Sequence, residues 1–294
     1  MKMFGIFKKK KNEYDKKIEV SRKTKLGLAL GGGGCRGIGH IGALKAFEEL
    51  GVKFDYVAGT SAGSIVGSLY ALGKTADEMI EIAKNLKKKE ITKGSIPFIK
   101  PAKSERLEEL LNRVYGDIMV FSELKVPFSV VCTDLKTGKE VDFNYGNVAK
   151  VVSASCAVPG VFTPVVHEGM HLVDGGLRNN VPVDVVKGMG ANVVFAIDVN
   201  HLRGTGTESL STISVLTSTI GIMMQSKIDK TLEMADLIIE PSLETFSPLK
   251  LDEIDEMIKI GYDTVMANRD KIEKMLKLNP KKIGRYFLKN GEKK

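Results

Sequence analysis

The chain has 294 residues, of which 43% are hydrophobic and 27% charged, enough to bury a core and too apolar for a disordered polymer. Three scattered cysteines, Cys35, Cys132 and Cys156, build neither a disulfide framework nor a zinc quartet, so reduced thiols in a cytoplasmic protein are expected. The net charge of +8 sits at the ends: ten Lys/Arg against three Asp/Glu in residues 1–25, and nine against three in 270–294, leave the stretch between them at −5. A mildly acidic body argues against a duplex-binding face, and no nucleic-acid partner is expected.

Residues 1–25 open with Phe4, Ile6 and Phe7 beside Lys8–Lys11, an apolar patch too short for a signal-peptide core. A basic flexible arm is expected there. Such an arm suits peripheral contact with an anionic membrane, at about 1 kcal/mol per lysine near the surface. Residues 26–269 carry no internal repeat or Pro-rich linker and are expected to form one domain, and 270–294 a basic tail. The longest uncharged runs, Tyr56–Gly73 and Ser209–Ser226, are rich in Gly, Ser or Thr rather than uniformly apolar, so neither reads as a membrane span.

Along the body, strands and helices alternate. Leu26–Leu30 reads as a buried strand running into glycines, and Ile38–Leu50 as a helix stopped by Gly51. Tyr56–Ala58 is the next predicted strand, Ser61–Leu72 a helix ending at Gly73, and Lys74–Asn85 a helix opened by Thr75. Phe128–Thr133 and Glu140–Asn144 flank Lys-Thr-Gly as a hairpin, Val193–Val199 is a continuous apolar strand, and Leu251–Leu276 is helical and amphipathic. This alternation predicts an α/β fold with a largely parallel central sheet.

Chemistry concentrates at two strand-to-helix junctions. In the first, Gly31-Gly32-Gly33-Gly34-Cys35-Arg36-Gly37, the glycines at 32, 34 and 37 match G-x-G-x-x-G. A dinucleotide site wants an acidic residue ending the second strand. Here Asp55 precedes that strand, and Gly59-Thr60-Ser61 end it. A P-loop fails too, since Gly73-Lys74-Thr75 has Ser68 where the first glycine belongs. Four adjacent glycines at a helix N-terminus instead make a nest of backbone N–H groups, suited to a phosphate or to an oxyanion developing during reaction.

The second junction, Gly59-Thr60-Ser61-Ala62-Gly63, is a G-x-S-x-G pentapeptide. A sharp strand-to-helix turn exposes the serine hydroxyl, and the flanking glycines relieve crowding. That hydroxyl needs a base. A Ser61–Asp174–His201 order is available among four histidines, but an α/β-hydrolase puts several strands before its elbow and here only one precedes it. His40 falls in the first turn after the glycine loop, and His167 and His171 flank a turn. Asp174 ends the short apolar strand of His171-Leu172-Val173-Asp174 and is followed by Gly175-Gly176. Alone it reads as a turn residue; with the other two motifs it becomes the candidate base.

Together these motifs resemble the patatin-like phospholipase family: a glycine-rich oxyanion loop with a basic residue, a G-x-S-x-G serine, and a distant Asp-Gly-Gly, in that order. Ala154-Ser155-Cys156-Ala157-Val158-Pro159-Gly160-Val161-Phe162-Thr163-Pro164 is similar to the family's loop before its aspartate. The likeness spans roughly Leu26 to Met266 and leaves both ends outside. It implies a three-layer α/β/α fold and a lipid or phospholipid substrate. It also implies a Ser61–Asp174 dyad with no catalytic histidine, metal or cofactor. Amides of Gly32, Gly33 and Gly34 would hold the oxyanion. Arg36 would brace that loop or meet a lipid phosphate. An aspartate with an ordinary pKa of about 3.9 is a poor base, so Asp174 must touch Ser61 and be buried. The stripe Ile213, Leu216, Ile220, Met223 and Met224 suits either core or an acyl pocket or lid.

Overall fold

The computed structural model describes residues 24–86, 94–95, 99–201, 228 and 230–277. The arm to residue 23, the last part of the basic tail and the 213–224 stripe lie outside them. Eight strands among these residues form one sheet: β1 (Leu26–Leu30), β2 (Tyr56–Thr60), β3 (Phe128–Asp134), β4 (Glu140–Phe143), β5 (Val165–His167), β6 (Met170–Asp174), β7 (Val193–Ile197) and β8 (Leu237–Ile239). β3, β2, β1, β7 and β8 follow one another in parallel. β4 and β6 pair antiparallel with β3, and β5 with β6.

The parallel strands are buried on both faces, so their sequences are continuously apolar rather than alternating. Leu26, Leu28 and Leu30 enter the larger core with Phe47, Phe195 and Ile197. Ala29 points the other way, into a smaller cluster with Ala58, Val194 and Ala196. Helices cover both sides: α1 (Ile38–Glu49), α2 (Ala62–Ala71), α3 (Ala76–Asn85), α4 (Glu105–Tyr115), α5 (Val148–Ser155), α6 (Val183–Gly188), α7 (Ile254–Ala267) and α8 (Arg269–Lys277). Val183 and Val186 of α6 fill the smaller cluster, while residues of α1, α2, α5 and α7 fill the larger one. The result is the expected three-layer α/β/α arrangement around a mostly parallel sheet.

Two differences from the sequence reading have plain causes. The amphipathic stretch 251–276 is two helices, α7 and α8, separated at Asn268, whose side-chain amide donates to the Thr264 carbonyl (2.9 Å) and so caps the first helix. Packing also continues past residue 269: Ile272, Met275 and Leu276 of α8 are buried, because the apolar face of the amphipathic stretch runs on into the segment expected as a basic tail.

The register of β3 positions everything that follows. Val131 pairs with Thr60 of β2 and with Asp142 of β4, so β2 and β4 occupy opposite edges. Cys132 pairs with Val141 of β4 and with Asp174 of β6, so β6 shares the edge used by β2. β2 runs parallel to β3 and β6 antiparallel, so their carboxyl ends converge on the same point. Thr60 and Asp174 are therefore neighbours along one strand edge, although 114 residues apart in sequence.

Candidate active site

Ser61 turns the chain from β2 into α2 with φ 51° and ψ −124°. A non-glycine residue there costs about 1–3 kcal/mol and persists only where its surroundings over-determine it. They do so here. Its N–H donates to Ser155 Oγ (2.8 Å). Its carbonyl accepts from the Ser64 amide (2.8 Å) and from the Ser64 hydroxyl (2.6 Å). Thr60 Oγ1 donates to the Asn179 carbonyl (2.9 Å). A Cβ at Gly59 would stand 2.5 Å from the Gly63 carbonyl oxygen, and one at Gly63 2.2 Å from that of Leu30, so both flanking glycines are required by close backbone approach.

The Ser61 side chain lies beside the carboxylate of Asp174, close enough to lower its pKa. Both side chains are buried, each with 6% of its surface exposed. Asp174 is held from several sides: its amide donates to the Ala157 carbonyl (3.0 Å), its carbonyl accepts from Thr133 Oγ1 (3.0 Å), and its Oδ1 accepts from the Gly176 amide (2.7 Å). A Cβ at Gly175 would meet the Val131 carbonyl at 2.1 Å, so the Asp-Gly step is what lets this turn lie against β3. Burial pushes the Asp174 pKa up from 3.8 to about 6; the Ser61 hydroxyl and the Gly176 amide pull the other way.

The glycine loop lies over the serine, since a Cβ at Gly32 would be 3.1 Å from Ser61 Cβ. Gly32 differs from expectation. Its N–H donates to the Asn180 carbonyl (3.1 Å) and its carbonyl accepts from Asn180 Nδ2 (3.3 Å), so this amide is spent on fixing the loop. Among the described residues the N–H groups of Gly33 and Gly34 have no such partner. Gly34 has φ +57°, and a Cβ on it would come 2.3 Å from the Pro248 carbonyl oxygen. A Cβ on Gly37 would press on Ala62 Cβ at 2.5 Å, which keeps the loop close to the start of α2.

Arg36 is a brace. Nε donates to the Phe246 carbonyl (2.8 Å), Nη1 to Asn200 Oδ1 (2.8 Å) and Nη2 to the Glu244 carbonyl (3.0 Å). Of the two roles open to it from sequence, this is the one these contacts serve. His40 Nε2 donates to the Gly31 carbonyl (2.7 Å). Complete burial drops its pKa to about 4, so the ring is neutral and holds the root of the loop.

His201 sits elsewhere. Its Nδ1 is 2.9 Å from Glu240 Oε1 and 4.0 Å from Asp198 Oδ2, beyond the ends of β7 and β8, while Asp174 faces Ser61 and Gly176. Among the described residues no Ser–Asp–His triad is assembled. Asp198, His201 and Glu240 are also the group among the described residues whose donor atoms, within 4.8 Å of one another, could hold a metal ion.

Sequence reasoning passed over Asn180, which fastens Gly32, and Ser155, which fastens Ser61. Ser155 was within a motif stretch whose likeness to the family was visible, but its partner lies 94 positions away and only the folded register shows the pairing.

Fold and site together define a class: three-layer α/β proteins in which an elbow serine faces a buried carboxylate beneath a glycine loop. The chain belongs to the patatin-like phospholipase family, whose pattern matches residues 28–187. It is 34% identical over 186 residues to an uncharacterized NTE family protein of Mycobacterium bovis, covering 63% of this chain and 51% of that one. It is 30% identical over 271 residues to a lysophospholipase of Aspergillus fumigatus, covering 81% of this chain and 18% of the relative. The chain thus spans about half the length of the mycobacterial relative and under a fifth of the fungal one. VipD of Legionella pneumophila superposes with a TM-score of 0.62 at 16% identity, over 92% of this chain and 73% of VipD, a likeness of fold. Among the described residues no helix is long and apolar enough to cross a membrane.

Proposed function

We propose that this protein is a serine acylhydrolase that cleaves carboxylic acyl esters of lipids, with Ser61 as nucleophile and Asp174 as general base. The burial of Ser61 and Asp174 side by side, where the ends of β2 and β6 converge on one edge of β3, carries this reading. Family membership and the lysophospholipase named among the relatives support the substrate class.

In the proposed reaction Ser61 Oγ attacks the acyl carbonyl carbon while its proton passes to Asp174. A carboxyl with a pKa near 6 is ionised at neutral pH, yet is a stronger base than an ordinary aspartate. The tetrahedral oxyanion is met by the amides of Gly33 and Gly34, each such donor supplying about 3 kcal/mol. Gly32, Arg36, Gly37, Gly59, Gly63, Gly175 and Gly176 hold the geometry. Collapse of the intermediate expels the alcohol, which takes the proton from Asp174 and leaves an acyl-serine. Water then attacks that ester, gives its proton to Asp174, and the fatty acid leaves as the proton returns to Ser61 Oγ. The steps consume one ester and one water and need no metal or cofactor.

Incubation with lysophospholipid and with diacyl phospholipid should release free fatty acid from the wild type and none above background from Ser61→Ala. Equal release by both proteins would refute the proposal.

The basic segments at the two ends supply the second part of the proposal, peripheral contact of a cytoplasmic enzyme with an anionic membrane. Ten Lys/Arg against three Asp/Glu in residues 1–25 support it. Co-sedimentation with vesicles rich in phosphatidylserine should fall when residues 1–23 are deleted, and fall for both proteins as salt rises. Unchanged sedimentation at low salt would refute it.

A further inference from the structure

Three successive residues at the end of α5 touch both members of the pair. Ser155 Oγ accepts the Ser61 N–H (2.8 Å) and donates to the Val131 carbonyl (2.6 Å). The Cys156 thiol, its pKa pushed up by burial and by the Asp174 charge, lies 3.9 Å from Ser64 Oγ. The Ala157 carbonyl accepts the Asp174 amide (3.0 Å). The serine comes from the end of β2 and the aspartate from the end of β6, so no covalent path shorter than 113 peptide bonds sets their separation. The 155–157 segment spans the gap directly.

We propose that Ser155 is a positioning residue that sets the distance between Ser61 and Asp174, with the 155–157 segment acting as a gauge between the two strand ends. The inference rests on the Ser61–Asp174 reading given above. Its physical basis is the strained elbow. With φ at +51°, the Ser61 N–H has left the ladder of β2, and the Ser155 hydroxyl, itself tied to β3 at Val131, replaces the lost partner. Removing that hydroxyl orphans a buried N–H and a buried carbonyl at once. The elbow can then relax, and the serine hydroxyl moves off the carboxylate. A near-attack geometry tolerates little of this, as displacements near 1 Å cost about a hundredfold in rate.

The test compares Ser155→Ala, Ser155→Thr and Ser153→Ala in the full chain, assayed on a short p-nitrophenyl ester and melted in parallel. Ser153 is a matched control, buried on the same helix with its hydroxyl turned to the Lys150 carbonyl (2.8 Å). Ser155→Ala should lose about a hundredfold in kcat with KM within about threefold. The acid limb of its pH profile should move to higher pH, because the Ser61 side chain, which lowers the Asp174 pKa, moves away. Ser155→Thr, which retains the hydroxyl, should recover most of kcat. Ser153→Ala should lower Tm without changing kcat. If Ser155→Ala folds and keeps kcat within threefold of wild type, the inference is overturned. It is also overturned if a folded Ser155→Thr is as slow as Ser155→Ala, or if Ser153→Ala loses as much kcat. Where Ser155→Ala does not fold, Ser155→Thr decides alone, an unmoved pH limb with wild-type kcat supporting the proposal and a shifted limb with low kcat opposing it. Asp174→Asn, run alongside, separates the two claims. Activity retained there refutes the dyad itself, while an inactive Asp174→Asn beside an unimpaired Ser155→Ala refutes only the positioning role.

Discussion

Asp174→Asn should make the protein inactive and more stable. Burial raises the native pKa of Asp174 from 3.8 to about 6, so the native state binds the proton more tightly than the unfolded chain does. The sign follows from linkage: the stability contributed by the protonated carboxyl is complete below pH 3.8 and is lost as pH rises through 6. At 1.36 kcal/mol for each tenfold step, the ionised carboxylate costs the native protein about 3 kcal/mol at pH 8 and roughly half that at pH 5. Asparagine is nearly isosteric and keeps the oxygen that accepts the Gly176 amide (2.7 Å). It carries no charge to desolvate. Urea denaturation of both proteins at pH 8 and pH 5 measures the difference. Asp174→Asn should be more stable by about 3 kcal/mol at pH 8, with the advantage about halved at pH 5. A variant less stable than wild type at pH 8, or an advantage independent of pH, would refute the claim that a desolvated carboxylate sits at this position. In the proposed mechanism the same desolvation strengthens Asp174 as a base, which sets stability against activity at this residue.

Three further outcomes follow from the same geometry. Plotted against pH, kcat/KM should fall tenfold per unit below a midpoint near pH 6; a midpoint near 4 would mean that the base is a solvated carboxyl. Gly34→Ala places a Cβ 2.3 Å from the Pro248 carbonyl at a residue with φ +57°, so the loop must shift and hydrolysis should fall by about 10²–10³, as on losing one oxyanion donor. A fully active Gly34→Ala would remove that amide from the account. His201→Ala should keep its rate within about threefold, because His201 sits beside Glu240 at 2.9 Å rather than beside Asp174, and a thousandfold loss of kcat would restore the triad.

The junctions were legible in sequence because their physics is local. Leu26–Leu30 is apolar throughout and runs into glycines, and Thr75 begins a helix whose Glu78 completes a capping box. Glycines at 59 and 63 announce a turn in which backbones nearly touch. What stayed hidden was non-local. Strand β5 has three residues and an exposed Val166, too short for a periodic signal. The spending of the Gly32 amide on Asn180 depends on a contact across 148 positions, and glycine spacing says nothing about which amide of a loop is already bonded. The meeting of β2 and β6 on one edge of β3 is a fact of register, and the Ser155 clamp follows from it.

Intact-mass spectrometry after treatment with a fluorophosphonate probe reads the nucleophile and its activation together. The wild type should gain one adduct, mapped to Ser61 after digestion, and Asp174→Asn should label at least a hundredfold more slowly. An adduct at another residue, or labelling of Asp174→Asn at the wild-type rate, would contradict the assignment of these two side chains as nucleophile and base.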